Sequence, residues 1–247
     1  MLLKFFISCS LIFLAGCGSK APKYEIGVDP SWAPLDFQTR QSNIMGFSTE
    51  LLQAVSLDEK ISISLLQVNW DVLFEGLNKG KYQAILSSLQ PFNFNSDLYS
   101  FSEVFLATGP VLVMPIGSTQ KSLKELQGKA IAALQGTPEV LLLEKYPGIS
   151  ISTYDDIPVA LNDLVAGKVQ GALLPVLPTS AYVRDLYQRR LKIVTAPLTD
   201  EGLRLITFKD KAPKLIKAFD KTLNHMKKNG DYEKQLVKWQ LAYPTSK

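Results

Sequence analysis

The chain has 247 residues, a formal net charge of +4 and two cysteines. So small a charge, spread along the chain, argues against a nucleic-acid-binding surface, and 46% hydrophobic residues are enough to bury a sizeable core. At this length, one large domain and two smaller domains both fit. After the first sixteen residues, no segment has the roughly 18 uninterrupted apolar residues of a membrane span.

The N-terminus has the pattern of a lipoprotein signal peptide. Lys4 supplies a positive charge, and residues 5–14 form an apolar run of about ten residues. The sequence LAGC at 14–17 has the form of a lipobox, in which the cysteine is acylated and becomes the new N-terminus. We therefore predict removal of residues 1–16, lipidation of Cys17 and a polar tether over 17–23. The alternative is an ordinary signal peptide with a chance cysteine.

The first part of the mature chain alternates predicted strands with predicted helices. Strands are predicted at 24–28, 35–37, 61–68 and 84–86, with one helix beginning near Gly46 and another at Trp70. Ser48 fits the N-cap of the first helix. This order is typical of a parallel sheet with right-handed crossovers.

Two small hydroxyl residues, Ser87 and Ser88, follow the short apolar strand predicted at 84–86. The carboxyl end of a buried strand is where α/β sheets bind ligands. Trp70 opens the helix that leads into this strand. We therefore expect the stretch 69–97 to carry one wall of a ligand cleft.

The second part of the chain repeats the alternation. Strands are predicted at 111–115, 129–134, 149–154, 169–174, 191–195 and 203–208, and helices at 123–127, 139–146, 155–167, 175–187, 214–228 and 232–239. Thr137 fits the N-cap of the second of these helices, and Pro138 fits its first position.

The predicted elements group into two lobes that the chain joins twice. We place one crossing near Thr108 and the other near 196–200, which gives lobes of 24–108 plus 200–247 and of 109–199. Two crossings form a hinge and leave a cleft between the lobes.

Seven segments in this order carry a family resemblance: VDPSWAPLDF, GFSTELLQAV, NWDVLFEGLNKGKYQAILSSL, SFSEVF, SLKELQGKAIAALQGT, AGKVQGALLPVLPTSAYV and HMKKNGDYEKQLVKW. Together they resemble the polar-amino-acid family of extracytoplasmic (periplasmic) solute-binding proteins, the capture subunits of ABC importers. The resemblance implies an α/β, two-lobed periplasmic-binding-protein (Venus flytrap) fold with two hinge crossings, each lobe being a mostly parallel sheet flanked by helices. It also implies a monomer outside the cytoplasm that binds a small solute and works with an ABC permease and ATPase. No cofactor, metal or nucleic acid is expected.

The same resemblance implies a set of ligand-binding positions between the lobes. They are Asp29, Trp32, Trp70, Ser87, Ser88, Gln90, Asn95, Thr137 and Pro175. In the family, the position of Asn95 holds an arginine for the ligand carboxylate, and that of Pro175 holds an aspartate for its ammonium group. Trp32 and Trp70 match two ligand-stacking aromatic residues, and Asp29 matches an acidic position used for ligand side chains.

The departures from the family pattern predict an unusual pocket. Asparagine lacks the charged, planar fork with which arginine pairs a carboxylate, and no arginine lies between Arg40 and Arg184. Pro138 has no N–H to offer an anion. We therefore expect a pocket that is more apolar and less charged than is usual, for an amino acid or related solute with an aromatic or cationic part. The alternative interpretation is that both tryptophans are core residues.

Two other functions remain open at this level. One is a receptor or adhesin that kept the fold without transport. The other is an enzyme such as a dehydratase, but the single histidine, His225, lies in a lysine-rich helix where we expect it to be exposed. Asp155, Asp156 and Glu139 are interpreted as helix first-turn acids, which the helix dipole favours.

Overall fold

A computed structural model describes residues 21–35, 37 and 40–243. The predicted signal peptide and Cys17 lie outside these residues, as does Asp36. No helix in the described part of the chain is long and apolar enough to cross a membrane.

The described residues form eleven strands and eight α-helices. The strands are β1 (Lys23–Val28), β2 (Ser62–Gln67), β3 (Ala84–Ser87), β4 (Tyr99–Phe101), β5 (Leu106–Ala107), β6 (Pro110–Pro115), β7 (Ala130–Leu134), β8 (Ser150–Tyr154), β9 (Gly171–Pro175), β10 (Leu191–Ile193) and β11 (Gly202–Phe208). The helices are α1 (Gln41–Glu59), α2 (Trp70–Asn78), α3 (Asn93–Ser96), α4 (Pro138–Leu143), α5 (Ile157–Val165), α6 (Val176–Tyr182), α7 (Pro213–Asn229) and α8 (Asp231–Lys238). A 3₁₀ turn covers Leu123–Leu126, and α6 continues as the π-helical turn Val183–Tyr187.

The strands form two sheets, one in each predicted lobe. The first sheet has the order β2-β1-β3-β11-β4, with β5 also paired with β11, and the second has the order β10-β6-β9-β7-β8. Only the pairs of β1 with β2 and β3, and of β7 with β8 and β9, are parallel. The sheets are therefore mixed, not mostly parallel as predicted.

The antiparallel pairs have a simple topological cause. They are made by β5, β6, β10 and β11, which flank the two crossings, and by β4. Strands β6 and β11 follow the crossings and run opposite to their sheet neighbours β9 and β3, and the antiparallel pairs of β4, β5 and β10 are made with these two strands. The carboxyl ends of β1, β3, β7 and β9 all point towards the region between the sheets.

Helices α1 and α7 cover the first sheet, and three large aromatic side chains pack in this layer. Phe47, Phe105 and Phe219 are fully buried there. The ring centroids of Phe47 and Phe105 lie 6.3 Å apart, and those of Phe105 and Phe219 lie 5.9 Å apart. This aromatic layer packs one face of the first sheet tightly. The loops at the carboxyl ends of its parallel strands are therefore held on a rigid support.

The start of α1 differs from the prediction. The helix begins at Gln41, and Ser48 lies inside it, where its hydroxyl donates to the carbonyl oxygen of Ile44 at 2.7 Å. A serine that bonds back to the preceding turn is accommodated within a helix, so it does not mark a start. Gly46 is mid-helical for a packing reason, because a Cβ there would lie 2.2 Å from the ring of Trp239.

The loop after β1 also differs from the prediction. Leu35 and Phe37 lie in no strand. The predicted tether is one residue too long, because Lys23 already pairs with Ser62 in the sheet. Strand β3 is buried along its whole length and α2 begins at Trp70, both as predicted.

Candidate functional site

The carboxyl ends of β1 and β3 bring five of the predicted binding residues together. Asp29, Trp32, Trp70, Ser87 and Ser88 line one crevice of the first lobe. The crevice is too narrow to admit a water molecule in this conformation.

Trp32 fills the crevice as a core residue. Its side chain is 3% exposed, and its indole N–H donates to the backbone oxygen of Gln41 at 3.3 Å. Trp70 is only partly buried and packs edge-on against Phe74, with centroids 5.4 Å apart. The Asp29 carboxylate accepts hydrogen bonds from the backbone N–H and the hydroxyl of Ser31.

Gln90 and Asn95 are joined to each other and line neither the crevice nor the cavity described below. The side-chain amide of Asn95 donates to the backbone oxygen of Gln90 at 2.8 Å, and the amide of Gln90 donates to the oxygen of Ser88 at 2.9 Å. Asn95 is 7% exposed. At this position the asparagine therefore fixes the loop after β3.

A separate space lies between residues of the two lobes. It is a cavity of ≈ 420 Å³. Its lining consists of Pro34, Leu35, Phe37, Thr108, Leu134, Thr137, Pro138, Glu139, Asp155, Asp156, Ile157, Pro175, Leu177, Pro178 and Glu201. The loop after β1 thus faces the ends of β7 and β9, and Thr108 and Glu201 contribute from the two crossings.

Thr137 and Pro175 are the two predicted binding residues that line this cavity. The Thr137 hydroxyl donates to the carbonyl oxygen of Leu134 at 2.8 Å and caps no helical N–H. Pro138 is the first residue of α4, so the turn after β7 offers one N–H fewer than an ordinary helix start.

Two glutamates, Glu139 and Glu201, line the cavity. Glu139 is 5% exposed, and its Oε2 has no hydrogen-bond partner among the described residues. Burial raises the pKa of the Glu201 carboxyl above its ordinary value, and the negative charge of Glu139 raises it further. The backbone oxygen of Glu201 accepts a hydrogen bond from the N–H of Thr108 at 3.0 Å, which joins the two crossings.

Of the three acids interpreted as helix first-turn residues, only Glu139 lies in a first turn, and Asp155 and Asp156 precede the first turn of α5. Asp156 is the N-cap of α5, where its carboxylate accepts the N–H of Val159 at 2.8 Å. Glu139 lies in the first turn of α4 but points into the buried cavity wall instead of solvent. The residue pattern carries no signal for this difference, because it depends on how the second lobe faces the first.

The sequence matches a known protein family over most of its length. Residues 24–242 match the family described as bacterial extracellular solute-binding proteins, family 3. The chain belongs to this family. The predicted family resemblance is confirmed, and the family consists of solute-binding proteins of transporters, not enzymes.

Curated relatives of this solute-binding protein align over nearly its whole length. The lysine/arginine/ornithine-binding periplasmic protein of Escherichia coli (strain K12) is 25% identical over 247 residues, which cover 93% of this chain and 95% of the relative. The histidine-binding periplasmic protein of Salmonella typhimurium is 25% identical over 88% of this chain and 87% of its own. The L-cystine-binding protein TcyJ of Escherichia coli (strain K12) is 23% identical over 87% and 81%.

Solved structures confirm the two-lobed fold of the solute-binding protein. The L-cystine solute receptor of Neisseria gonorrhoeae, in the unliganded open conformation, has a TM-score of 0.71 at 19% identity and covers 90% of this chain and 93% of its own. Substrate-binding domain 2 of Lactococcus lactis GlnP, in open conformation, has a TM-score of 0.69 at 20% identity and covers 89% and 96%.

The solute-binding protein shows no cluster suited to a metal ion among its described residues. His225 is exposed on α7, as predicted, and its Nδ1 lies 4.0 Å from the carboxylate of Asp58. This histidine is remote from the cavity lining.

Proposed function

We propose that the protein is the lipid-anchored solute-binding subunit of an ABC importer, and that it captures an amino acid or a related small solute between lobes 24–108 plus 200–247 and 109–199. The observation that carries the proposal is the ≈ 420 Å³ cavity whose lining comes from both lobes and both crossings. Small-molecule sites are typically apolar clefts of about 300–1,000 Å³. The names of the relatives, which include lysine/arginine/ornithine, histidine and cystine binding, support a solute of this size.

Thr137 and Pro175 contact the solute directly in this proposal. Asp29, Trp70, Ser87 and Ser88 form the adjoining wall of the first lobe, while Gln90 and Asn95 hold the loop after β3. Trp32 does not contact the solute in this proposal and only supports the crevice by packing.

Capture works by closing the hinge. One lobe binds the solute first, and contacts with the second lobe then favour the closed form that a permease recognises. A preference of about 5.5 kcal/mol for the closed form moves the population from 1% to 99%. The ion pair between Arg40 and Asp185, at 3.7 Å, already joins the first helix to the second lobe.

The lipid on Cys17 keeps the subunit at the membrane beside its permease and ATPase. A single acyl chain holds a protein only weakly, whereas two chains anchor it stably. We infer that the lipidated N-terminus carries more than one acyl chain.

Thermal unfolding of the protein lacking residues 1–17, with a panel of amino acids, amines and peptides, tests the proposal. A solute that binds only the folded state stabilises it by about 2.7 kcal/mol at 100 times its dissociation constant. We expect at least one solute to raise the melting temperature and to reduce the radius of gyration in X-ray scattering.

A pair of matched variants places the solute in the cavity. Thr137→Phe fills the cavity and should abolish the shift, whereas Thr153→Phe, at an exposed site of β8, should retain it. A panel without any stabilising solute would contradict the proposal. Unchanged solute uptake in a deletion strain would instead favour a receptor or adhesin.

A further inference from the structure

One oxygen of the Glu139 carboxylate is buried without a hydrogen-bond partner among the described residues. Glu139 is 5% exposed, and the unpaired oxygen is its Oε2. A buried carboxylate carries a large desolvation cost unless a cation or hydrogen-bond donors compensate it. Since Glu139 lines a cavity of ≈ 420 Å³, a cation in that cavity would compensate its negative charge.

Glu201 contributes a second carboxylate to this cavity. Glu201 lines the same cavity from the crossing before β11, and the charge of Glu139 contributes to its raised pKa. Two carboxylates that approach in a partly buried site repel each other in their ionised forms, and a cation between them removes that repulsion.

The rest of the wall contains no group that pairs with a ligand carboxylate. Within the described lining there is no lysine, arginine or histidine. The turn that precedes Glu139 has Pro138 in place of an N–H donor. Asp155 and Asp156 add negative charge at the same cavity, and the remaining surface is mostly apolar.

We propose that the cavity binds an organic cation without a carboxylate, namely a primary amine or guanidine with an apolar body, whose charged nitrogen lies between Glu139 and Glu201. This specificity rests on the proposed solute-binding function and narrows its substrate class. A free amino acid would bring its own carboxylate towards two acids, with no cation to pair it, so it is discriminated against by repulsion and desolvation.

Matched pairs of ligands test the proposal, because each pair differs only by the α-carboxylate. The pairs are cadaverine and lysine, agmatine and arginine, tyramine and tyrosine, and phenethylamine and phenylalanine, measured by calorimetry at one salt concentration. We expect at least one amine to bind 10-fold or more tightly than its parent amino acid. A parent amino acid that binds as tightly as its amine, or more tightly, overturns the proposal but leaves the solute-binding function intact. Binding of no compound from either series overturns both.

Variants assign the charged contacts. Glu139→Gln and Glu201→Gln keep the shape of the side chains, and each should weaken amine binding 10-fold or more. Glu144→Gln, at the exposed end of α4, should leave it unchanged. Circular dichroism confirms folding of each variant. Amine affinities that stay within 2-fold in both cavity variants would show that the cation lies elsewhere, and would overturn the assignment.

Discussion

Replacement of Trp32 by alanine tests whether this residue stabilises the core or stacks on the ligand. The side chain is 3% exposed and belongs to the central apolar cluster that both lobes share. Removal of a buried tryptophan costs about 3–5 kcal/mol, since both the transfer free energy and the packing of a large ring are lost. A pocket-wall tryptophan would contribute only about 0.5–1.5 kcal/mol to ligand binding through ring geometry.

Equilibrium unfolding in urea measures this difference. Given a typical total stability of about 5–15 kcal/mol, Trp32→Ala should lower the midpoint by about 1 M or more. The backbone of residue 32 has φ 61°, and alanine meets the same left-handed strain as tryptophan, so the loss reports the side chain alone.

Trp70→Ala is the matched control, because Trp70 is only partly buried. We expect it to lose less stability than Trp32→Ala. If Trp32→Ala instead kept its stability within about 1 kcal/mol and lost affinity for a solute, Trp32 would be a pocket wall and the core assignment would be wrong.

Four further predictions concern packing, capping, charge and anchoring. Gly46→Ala should destabilise the fold by about 1–3 kcal/mol in urea, because its Cβ meets the Trp239 ring, whereas Gly117→Ala, with no atom within 4 Å, should be neutral. Asp156→Ala should cost about 1 kcal/mol through the lost cap of α5. Glu201→Gln should raise the melting temperature of the free protein at pH 7. The raised pKa means that ionisation destabilises the fold as pH rises, so the gain should vanish below the ordinary value of 4.5; a pH-independent gain would exclude this cause. Cys17→Ser should move the protein from the membrane fraction to the soluble fraction; retention in the membrane would contradict lipid anchoring.

The sequence is most informative where local pattern and burial agree. Strand β3 was predictable because a short apolar run between a glycine stop and two serines leaves few alternatives, and α2 because its apolar residues share one face. The start of α1 was not predictable from Ser48 and Gly46. Their roles depend on a back-bond to Ile44 and on contact with Trp239, almost two hundred residues away in the chain.

The candidate site was likewise predictable only in part. The ends of β1 and β3 were predictable as a meeting point of Asp29, Trp70, Ser87 and Ser88, because topology alone brings them together. The presence of Glu139 and Glu201 in one cavity was not predictable, since it depends on the angle between the lobes and the path of the second crossing. Such a juxtaposition leaves no periodic trace in the sequence.

The position of these two acids connects specificity to closure. Glu139 belongs to the second lobe, whereas Glu201 lies on a crossing, so approach of the lobes brings two negative charges into a space of low polarity. Without a ligand this repulsion weakens the closed form, and a bound cation converts it into attraction towards both acids. A ligand shifts a conformational equilibrium only by its differential affinity for the two forms. A cation held between Glu139 and Glu201 binds the closed form more tightly than the open form. A zwitterion of the same shape would add a third negative charge and lose this preference.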